Sequence, residues 1–388
     1  MKFREEVSES LTLKFAESAA RRREQGLPII SLGLGEPDFD TPKQIIDAAK
    51  NVLDQGTSKY SSPLGLMDLR KNLASKFIKD NGIACSAENI LVAAGAKQAF
   101  QIIAMALLEP GDEVIVVTPA FVSFIPQLLI AEPECQVKTL EVKSADFSFP
   151  VDKLSRMVTD NTKLIVINSP NNPAGYVLTE QEVRDIYQIA ERHDCYLVSD
   201  EIYEKLNFST HAHFSAGSLE SEPLRVITIN GYSKSHAMTG WRVGYACFPK
   251  QLSSRILKIQ QHMNTNTCTF IQKALVDAAE VNESYLDEYR KVLAERCDIV
   301  VDWESSVHEI NLCAPRAGFF AFFDISNLGM SSNEFCGSVI ESVGVAMTPG
   351  IAFGQAWDTH VRLSFAVPED TLKEGLRLIS SFISGVKK

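Results

Sequence analysis

GYSKSHAMTGWRVG, residues 231–244, follows the apolar, strand-like run 224–230 and sets a single lysine, Lys234, between Ser233 and Ser235, with Arg242 beyond Gly240. An ordinary solvated lysine is out of place there. Lysine amines become nucleophiles when desolvation or a neighbouring cation lowers their pKa, and Arg242 is such a cation. An amine and a fixed cation together suit one anionic ligand, a phosphate ester that carries an aldehyde. Taken alone, the stretch reads equally as a surface lysine and a salt-bridged arginine at a strand end, so the rest of the chain decides.

Upstream, residues 114–117, 164–168, 197–199 and 226–229 are continuous apolar runs separated by helical patterns such as 180–192. Runs of that kind belong to strands covered on both faces, which predicts a mostly parallel sheet sandwiched by crossover helices. Ligands in such sheets bind beyond the carboxyl ends of the strands, where Asn172, Asp200, Tyr203 and Lys234 fall. A further short strand from Asn89 runs through Gly95, Ala96 and Lys97 into a helix expected over 98–108. A strand turning through glycine into a helix start is an anion site, because free N–H groups and the helix dipole face the ligand.

Nearer the N-terminus, 11–25 reads as a helix closed by Gly26, and Gly33 and Gly35 either admit a close backbone approach or simply make a turn. Thr41 reads as the N-cap of a helix through 53, with Pro42 in its first turn. Leu66, Leu69, Leu73 and Phe77 recur at helical spacing after the loop 59–65, which holds Tyr60. Beyond residue 282 the texture changes to a charged helix over 285–304 followed by short apolar runs at 318–324, 343–350 and 361–366. The expected architecture is α/β: a large domain over 40–285, and a smaller α+β domain of 1–39 with 286–388.

A length of 388 residues fits two domains, since single cores stop growing near roughly 250–300 residues. The net charge of -11 leaves no basic footprint for nucleic acid or an anionic membrane. The opening MKFREEVSES has no apolar signal core, and no run approaches the roughly 20 apolar residues of a membrane span, so the cytoplasm is the expected compartment. The 8 cysteines are scattered without a CxxC pair, as reduced, mostly buried thiols are. The 7 histidines form no HExxH, and His211 with His213 reads as part of a loop, so no metal is expected.

In order along nearly the whole chain, several motifs resemble those of class I, fold-type I aminotransferases dependent on pyridoxal 5'-phosphate (PLP), in particular the bacterial aspartate, prephenate and aromatic subgroup. They include GAK at 95–97, TPAFVSF at 118–124, SPNNPAG at 169–175, LVSDEIY at 197–203, SKSHAMTGWR at 233–242 and HVRLSFA at 360–366. The resemblance implies that Lys234 carries the cofactor and moves the proton of the substrate's α-carbon, one residue serving as anchor and base. Asp200 matches the carboxylate that keeps the pyridine nitrogen protonated, as an electron sink requires. Tyr203 and Asn172 match the pair that shares the cofactor's phenolic oxygen, and Phe121 matches the ring stacked on the pyridine. Ser233, Arg242 and the backbone of Ala96 and Lys97 match the phosphate cradle. Tyr60 matches a tyrosine that reaches the phosphate of a neighbouring subunit, which implies a homodimer with shared active sites.

Arg362 matches the arginine that grips the substrate α-carboxylate, a two-pronged bond that lysine cannot reproduce. Gly35 matches the glycine whose backbone lies over the substrate. Lys97 resembles a lysine that approaches the distal carboxylate in the aspartate and prephenate subgroup, and Ser10 and Thr12 are placed at the same mouth. An amino acid and a 2-oxo acid are therefore the implied substrates, with aspartate or glutamate first and aromatic amino acids second. The pattern departs at His236, where phenylalanine or tyrosine is usual, at Ala174, where threonine is usual, and at Ala96, where glycine or serine is frequent. None of these removes a reacting group, and ring packing is the simpler role for His236. The same fold and lysine also serve β-eliminating C–S lyases, the alternative reaction, and the non-enzymatic alternative is a PLP-sensing regulator, for which an additional basic DNA-binding module is expected.

Overall fold

The computed structural model describes residues 7, 9–56, 59–279, 281 and 284–386. Helix α1 (Leu11–Glu24) leads to the short strand β1 (Ile30–Ser31) and to helices α2 (Lys43–Asp54) and α3 (Met67–Asn81). Strands and helices then alternate: β2 (Ile90–Ala93), α4 (Ala96–Leu107), β3 (Glu113–Thr118), α5 (Phe124–Ala131), β4 (Gln136–Glu141), α6 (Val151–Met157), β5 (Thr162–Asn168), α7 (Glu180–Arg192) and β6 (Tyr196–Asp200). After β7 (Val226–Gly231) comes the one-turn helix α8 (Tyr232–Ser235), then β8 (Gly244–Cys247), α9 (Ser253–Met263), α10 (Thr269–Asp277) and the long α11 (Ser284–Ser305). The chain ends with β9 (Asn311–Leu312), β10 (Phe320–Asp324), α12 (Ser332–Val343), β11 (Val345–Ala346), β12 (Thr348–Pro349), β13 (His360–Ser364) and α13 (Glu369–Val386).

Seven strands form the main sheet in the order β2-β8-β7-β6-β5-β3-β4. The pairs β7-β6-β5-β3-β4 are parallel, and β8 runs antiparallel to both of its neighbours. Strand alternation explains the continuous apolar runs. In β3, Val114 and Val116 pack with Phe100 and Ile103 of α4, whereas Ile115 and Val117 pack with Leu154 of α6 and Ile186 of α7. Both faces are covered, as the sequence pattern requires.

Two strands carried no such signal. The edge strand β4, Gln-Val-Lys-Thr-Leu-Glu, buries only Leu140, so its polar sequence resembles a loop. Strand β8 is short and starts at a glycine that the packing demands: a Cβ at Gly244 would collide with the backbone of Gly95 and Ala96. The helix starts also differ from expectation. Gly95, at φ 88, makes the turn, so α4 begins at Ala96 rather than Gln98. Pro42, not Thr41, takes the N-cap position of α2. The Thr41 hydroxyl instead donates to the Ala237 carbonyl at 2.8 Å, tying that segment to the lysine-bearing loop.

A second sheet, β12-β13-β10-β9, is antiparallel. Its register sets Arg362 opposite Phe322 on one side and Thr348 on the other. Strand β1 pairs in parallel with β11, Ile30 beside Val345, and Leu32 exchanges bonds with both neighbours: its N–H donates to Ala346 at 2.8 Å and its carbonyl accepts from Ser364 at 2.6 Å. That tether carries Gly33 to Gly35 alongside β13. Among the described residues no helix is long and apolar enough to cross a membrane.

Candidate active site

The parallel neighbours β5, β6 and β7 end at Asn168, Asp200 and Gly231, so the residues that follow them leave the sheet at one edge. There they line a cavity of about 830 Å³ together with the starts of α1 and α4 and the middle of β13. Lys234, Asp200, Tyr203, Asn172, Phe121, Ser233, Ala96, Lys97, Arg242, Gly35 and Arg362 all face it. Tyr60 does not: it is 86 % exposed and outside the lining of its own chain's cavity.

Lys234 stands in the single turn of α8, where β7 delivers it straight from the sheet. Its Nζ donates to the Gly35 carbonyl at 2.6 Å and lies 5.9 Å from the centre of the Phe319 ring. Burial brings the amine down to about 8, with Arg362 and Arg242 adding to the effect and Glu36 opposing it. The contribution of Arg242 expected from the sequence is therefore present but secondary to desolvation. Asp200 shows the mirror effect of burial, its carboxyl pushed up to about 7, although the Ile202 N–H donated to Oδ1 at 3.1 Å and the Lys234 charge pull the other way.

Asn172 Nδ2 donates to the Tyr203 hydroxyl at 3.4 Å, and burial raises the pKa of that phenol. Asn172 is fixed from below by Asn168, whose Oδ1 accepts the Asn172 N–H at 2.8 Å. Asn172 Oδ1 in turn accepts from Arg362 at 3.0 Å. A second arginine nitrogen donates to the Gly33 carbonyl at 2.7 Å and to the Thr348 hydroxyl at 3.2 Å. The guanidinium also lies 4.3 Å from the Phe320 ring centre and 5.1 Å from that of Phe353. Every one of these partners is neutral, and Nε is buried without any. Burial lowers the Arg362 pKa to about 10, so it remains a cation at neutral pH. A buried cation without an anion is costly, and an open donor beside it invites a carboxylate.

At the other end, Arg242 adopts φ 55, a left-handed conformation that is strained for a side-chain-bearing residue. It donates to the Thr239 carbonyl at 2.9 Å and to Ala94 at 3.2 Å, which clamps its head against the turn before α4. A side chain at Gly95 would collide with that head. The first N–H groups of a helix lack intrahelical partners, so those opening α4, together with Ser233 and Arg242, form a cationic, donor-rich pocket end suited to a phosphate.

Lys97 lies 5.5 Å over the Phe121 ring, and burial followed by Arg242 lowers its pKa. Thr12 lines the cavity, whereas Ser10 does not reach it and bonds Thr12 at 2.7 Å. His236 faces away from the cavity. Its ring sits edge-on to Tyr232 at 5.0 Å and to Tyr285 at 5.9 Å, its Nδ1 meets Ser235 Oγ at 2.7 Å, and burial, aided by Lys205 and Lys76, pushes the imidazole down to about 3. Sequence reasoning passed over Asn168, Thr348, Phe320 and Phe353, and it offered Gly33 as a close backbone approach without pairing it with Arg362. Asn168, at the carboxyl end of an apolar strand, carried a usable signal. Thr348, Phe320 and Phe353, which surround Arg362 from distant segments, carried none.

The family profile for aminotransferase class I and II matches residues 28–379. The aspartate aminotransferase of Pyrococcus abyssi is 38% identical over 354 residues, 90% of each chain. The aromatic-amino-acid aminotransferase 2 of Thermococcus litoralis is 37% identical, again over 90% of each. Among solved structures, aspartate aminotransferase from Thermus thermophilus with maleate superposes with a TM-score of 0.93 at 34% identity, covering 98% of each chain.

Proposed function

The chain belongs to the class I and II aminotransferases, and from that premise we propose that it uses PLP to move the amino group of an L-amino acid to a 2-oxo acid, aspartate or glutamate first and aromatic amino acids second. The observation that carries this reading is one cavity with an amine at about 8 on Lys234 and a buried cation with an open donor, Arg362, whose partners are all neutral. PLP supplies the electron sink for the bond broken at the substrate α-carbon.

The cavity's side chains fit such a group end to end. Ser233, Arg242 and the first turn of α4 would hold its phosphate, Phe121 would cover its ring, Asp200 would keep the pyridine nitrogen protonated, and Tyr203 with Asn172 would share the phenolic oxygen. Arg362 orients the α-carboxylate with its fork, and Asn172, bonded to both Arg362 and Tyr203, keeps the carboxylate and the phenolic end in register. Lys234 Nζ takes the α proton and returns it. The Gly35 carbonyl accepts from that Nζ at 2.6 Å and so holds the amine in the cavity.

The test is an absorbance spectrum of the purified protein with PLP, followed by single amino acids without an acceptor. A visible band that aspartate or glutamate bleaches supports the reading. No band sinks it.

Lys97 carries the dicarboxylate preference we infer, because among the described residues it is the cavity-lining lysine apart from Lys234. Lys97→Ala is expected to raise KM for aspartate and glutamate by about 10- to 100-fold, the loss of one charge-assisted hydrogen bond, and to leave phenylalanine and alanine nearly unchanged. Equal effects on all four substrates would remove the assignment.

Tyr60 points to a homodimer that shares its sites, since it is exposed and outside its own chain's cavity. Two weak variants, Tyr60→Ala and Lys234→Ala, should regain activity when unfolded and refolded together, because one site of each hybrid is then intact. Activity that stays at the level of the separate variants refutes sharing. We also read 40–285 as the cofactor-carrying unit and 1–39 with 286–388 as the smaller unit, to be checked by whether amide exchange protects them as separate blocks. The eight free cysteines fit a reducing cytoplasm, which cell fractionation decides.

A further inference from the structure

Asp200 and Glu201 are neighbours at the end of β6 whose side chains leave opposite faces of the strand. Asp200 faces the cavity, while Glu201 is fully buried behind it. The backbone here is pinned on both sides: the Asp200 carbonyl accepts from Ser169 N–H at 3.1 Å and from Asn168 Nδ2 at 2.9 Å, and Glu201 N–H donates to Ile229 at 2.9 Å. Both Glu201 oxygens are engaged. Oε1 accepts from Ser199 and Ser215, each at 2.9 Å, and Oε2 accepts from Asn81 Nδ2 at 3.1 Å and meets His213 Nε2 at 3.0 Å.

The pair belongs to a larger buried cluster. Glu204, three residues beyond Glu201, takes a bond from Asn81 Nδ2 at 2.5 Å and an ion pair from Lys76, and Lys76 also donates to Asn81 Oδ1 at 2.7 Å. The carboxylates come from the end of β6 and the turn after it, Lys76 and Asn81 from α3, and His213 and Ser215 from the loop before β7. The oxygens of Glu201 and Glu204 and the His213 nitrogen converge within 4.8 Å, and the Lys76 ammonium pairs with Glu204 at the edge of that convergence. With His213 protonated, two acids balance two cations. Glu201 and Glu204 raise the His213 pKa against a larger opposing effect of burial and a smaller one of Lys76, with a net upward direction.

We propose that Glu201 and His213 are positioning residues that act on the cofactor's pyridine nitrogen through Asp200. The proposal rests on the cofactor reading above. Glu201 holds the strand end that aims Asp200 into the cavity, and its negative charge favours a proton on the Asp200 side of the sheet. A protonated His213 damps that charge. A proton gained or lost at His213 is thereby felt in the cavity although the imidazole never touches it. The groups that bear on His213 are Glu201, Glu204 and Lys76, and those that bear on Asp200 are Glu201 and Lys234.

The decisive experiment follows the Asp200 carboxyl band by infrared difference spectroscopy in cofactor-free protein, with Asp200→Asn as the subtraction, across a pH series. Glu201→Gln should lower the midpoint by about one pH unit, the scale expected of one charge several ångströms away at an effective dielectric near 20–40. His213→Gln should raise it by a comparable amount, and His213→Lys, which keeps the positive charge, should leave it near the wild-type value. A purely structural role moves the variants in the same direction or not at all, and either result overturns the proposal. If Glu201→Gln does not fold, the contrast between glutamine and lysine at position 213 still decides. With PLP added, the same order of shifts should appear in the pH dependence of the visible band. If the wild type has no band, the cofactor reading fails while the cofactor-free titration still stands on its own.

Discussion

Lys234→Ala is expected to lower amino-transfer turnover by about 10⁴-fold or more, the upper range for loss of a positioned acid–base group, and to remove the visible band of the PLP-loaded protein. The loss is large because one amine has two tasks. It arrives on a one-turn helix directly from β7, is half-buried, and is held against the Gly35 carbonyl at 2.6 Å. Lys97, although it lines the same cavity, sits over the Phe121 ring at the mouth. Burial adds a pH signature. With the Lys234 amine at about 8, its neutral, reactive form grows as pH rises through that value, so PLP capture by cofactor-free protein should accelerate from pH 6, reach half its limit at about 8 and level off above it. A variant that keeps the band and the turnover would show that the amine belongs to some other residue.

Arg362→Lys should cost about 10²- to 10⁴-fold in kcat/KM for every amino acid donor alike, the equivalent of losing one or two hydrogen bonds to a charged group at about 1.5–3 kcal/mol each. The charge survives this change, but the fork does not. The native guanidinium spends two nitrogens on Asn172, Gly33 and Thr348, and is sandwiched against Phe320 and Phe353. These contacts fix its plane and leave Nε without a protein partner. An ammonium on a flexible stem cannot satisfy those acceptors and a carboxylate together. Steady-state kinetics with aspartate, glutamate and phenylalanine as donors is the measurement. A loss confined to dicarboxylates would mean that Arg362 reads the distal acid rather than the α-carboxylate.

The fold and most cavity-lining residues are legible in the chain, the first through local pattern and the second through the resemblance of its motifs to the family. The apolar runs 114–117 and 164–168 can only be strands covered on both faces, and strands of that kind present their carboxyl ends to a ligand. The strand order along the chain therefore places Lys234, Asp200 and Asn172 at one edge of the sheet. Local pattern misplaced Thr41, whose hydroxyl looks like a helix cap and is instead spent on Ala237, nearly 200 residues away in sequence, and it overlooked β4, whose polar edge sequence resembles a loop.

What the sequence by itself determined is the inventory: an amine, a carboxylate, a phenol and two arginines at the ends of predictable elements. What only the tertiary structure decided is their energetics. Desolvation, the largest cause of the Lys234 shift to about 8 and of the Asp200 shift to about 7, depends on what surrounds a group in space, and the partners of Arg362 come from the segment after β1, from the loop after β5 and from β12. A chain written in one dimension names the charged groups, but whether each is stranded from water, and which neutral groups stand in for its missing counter-charge, is fixed only when distant segments pack together.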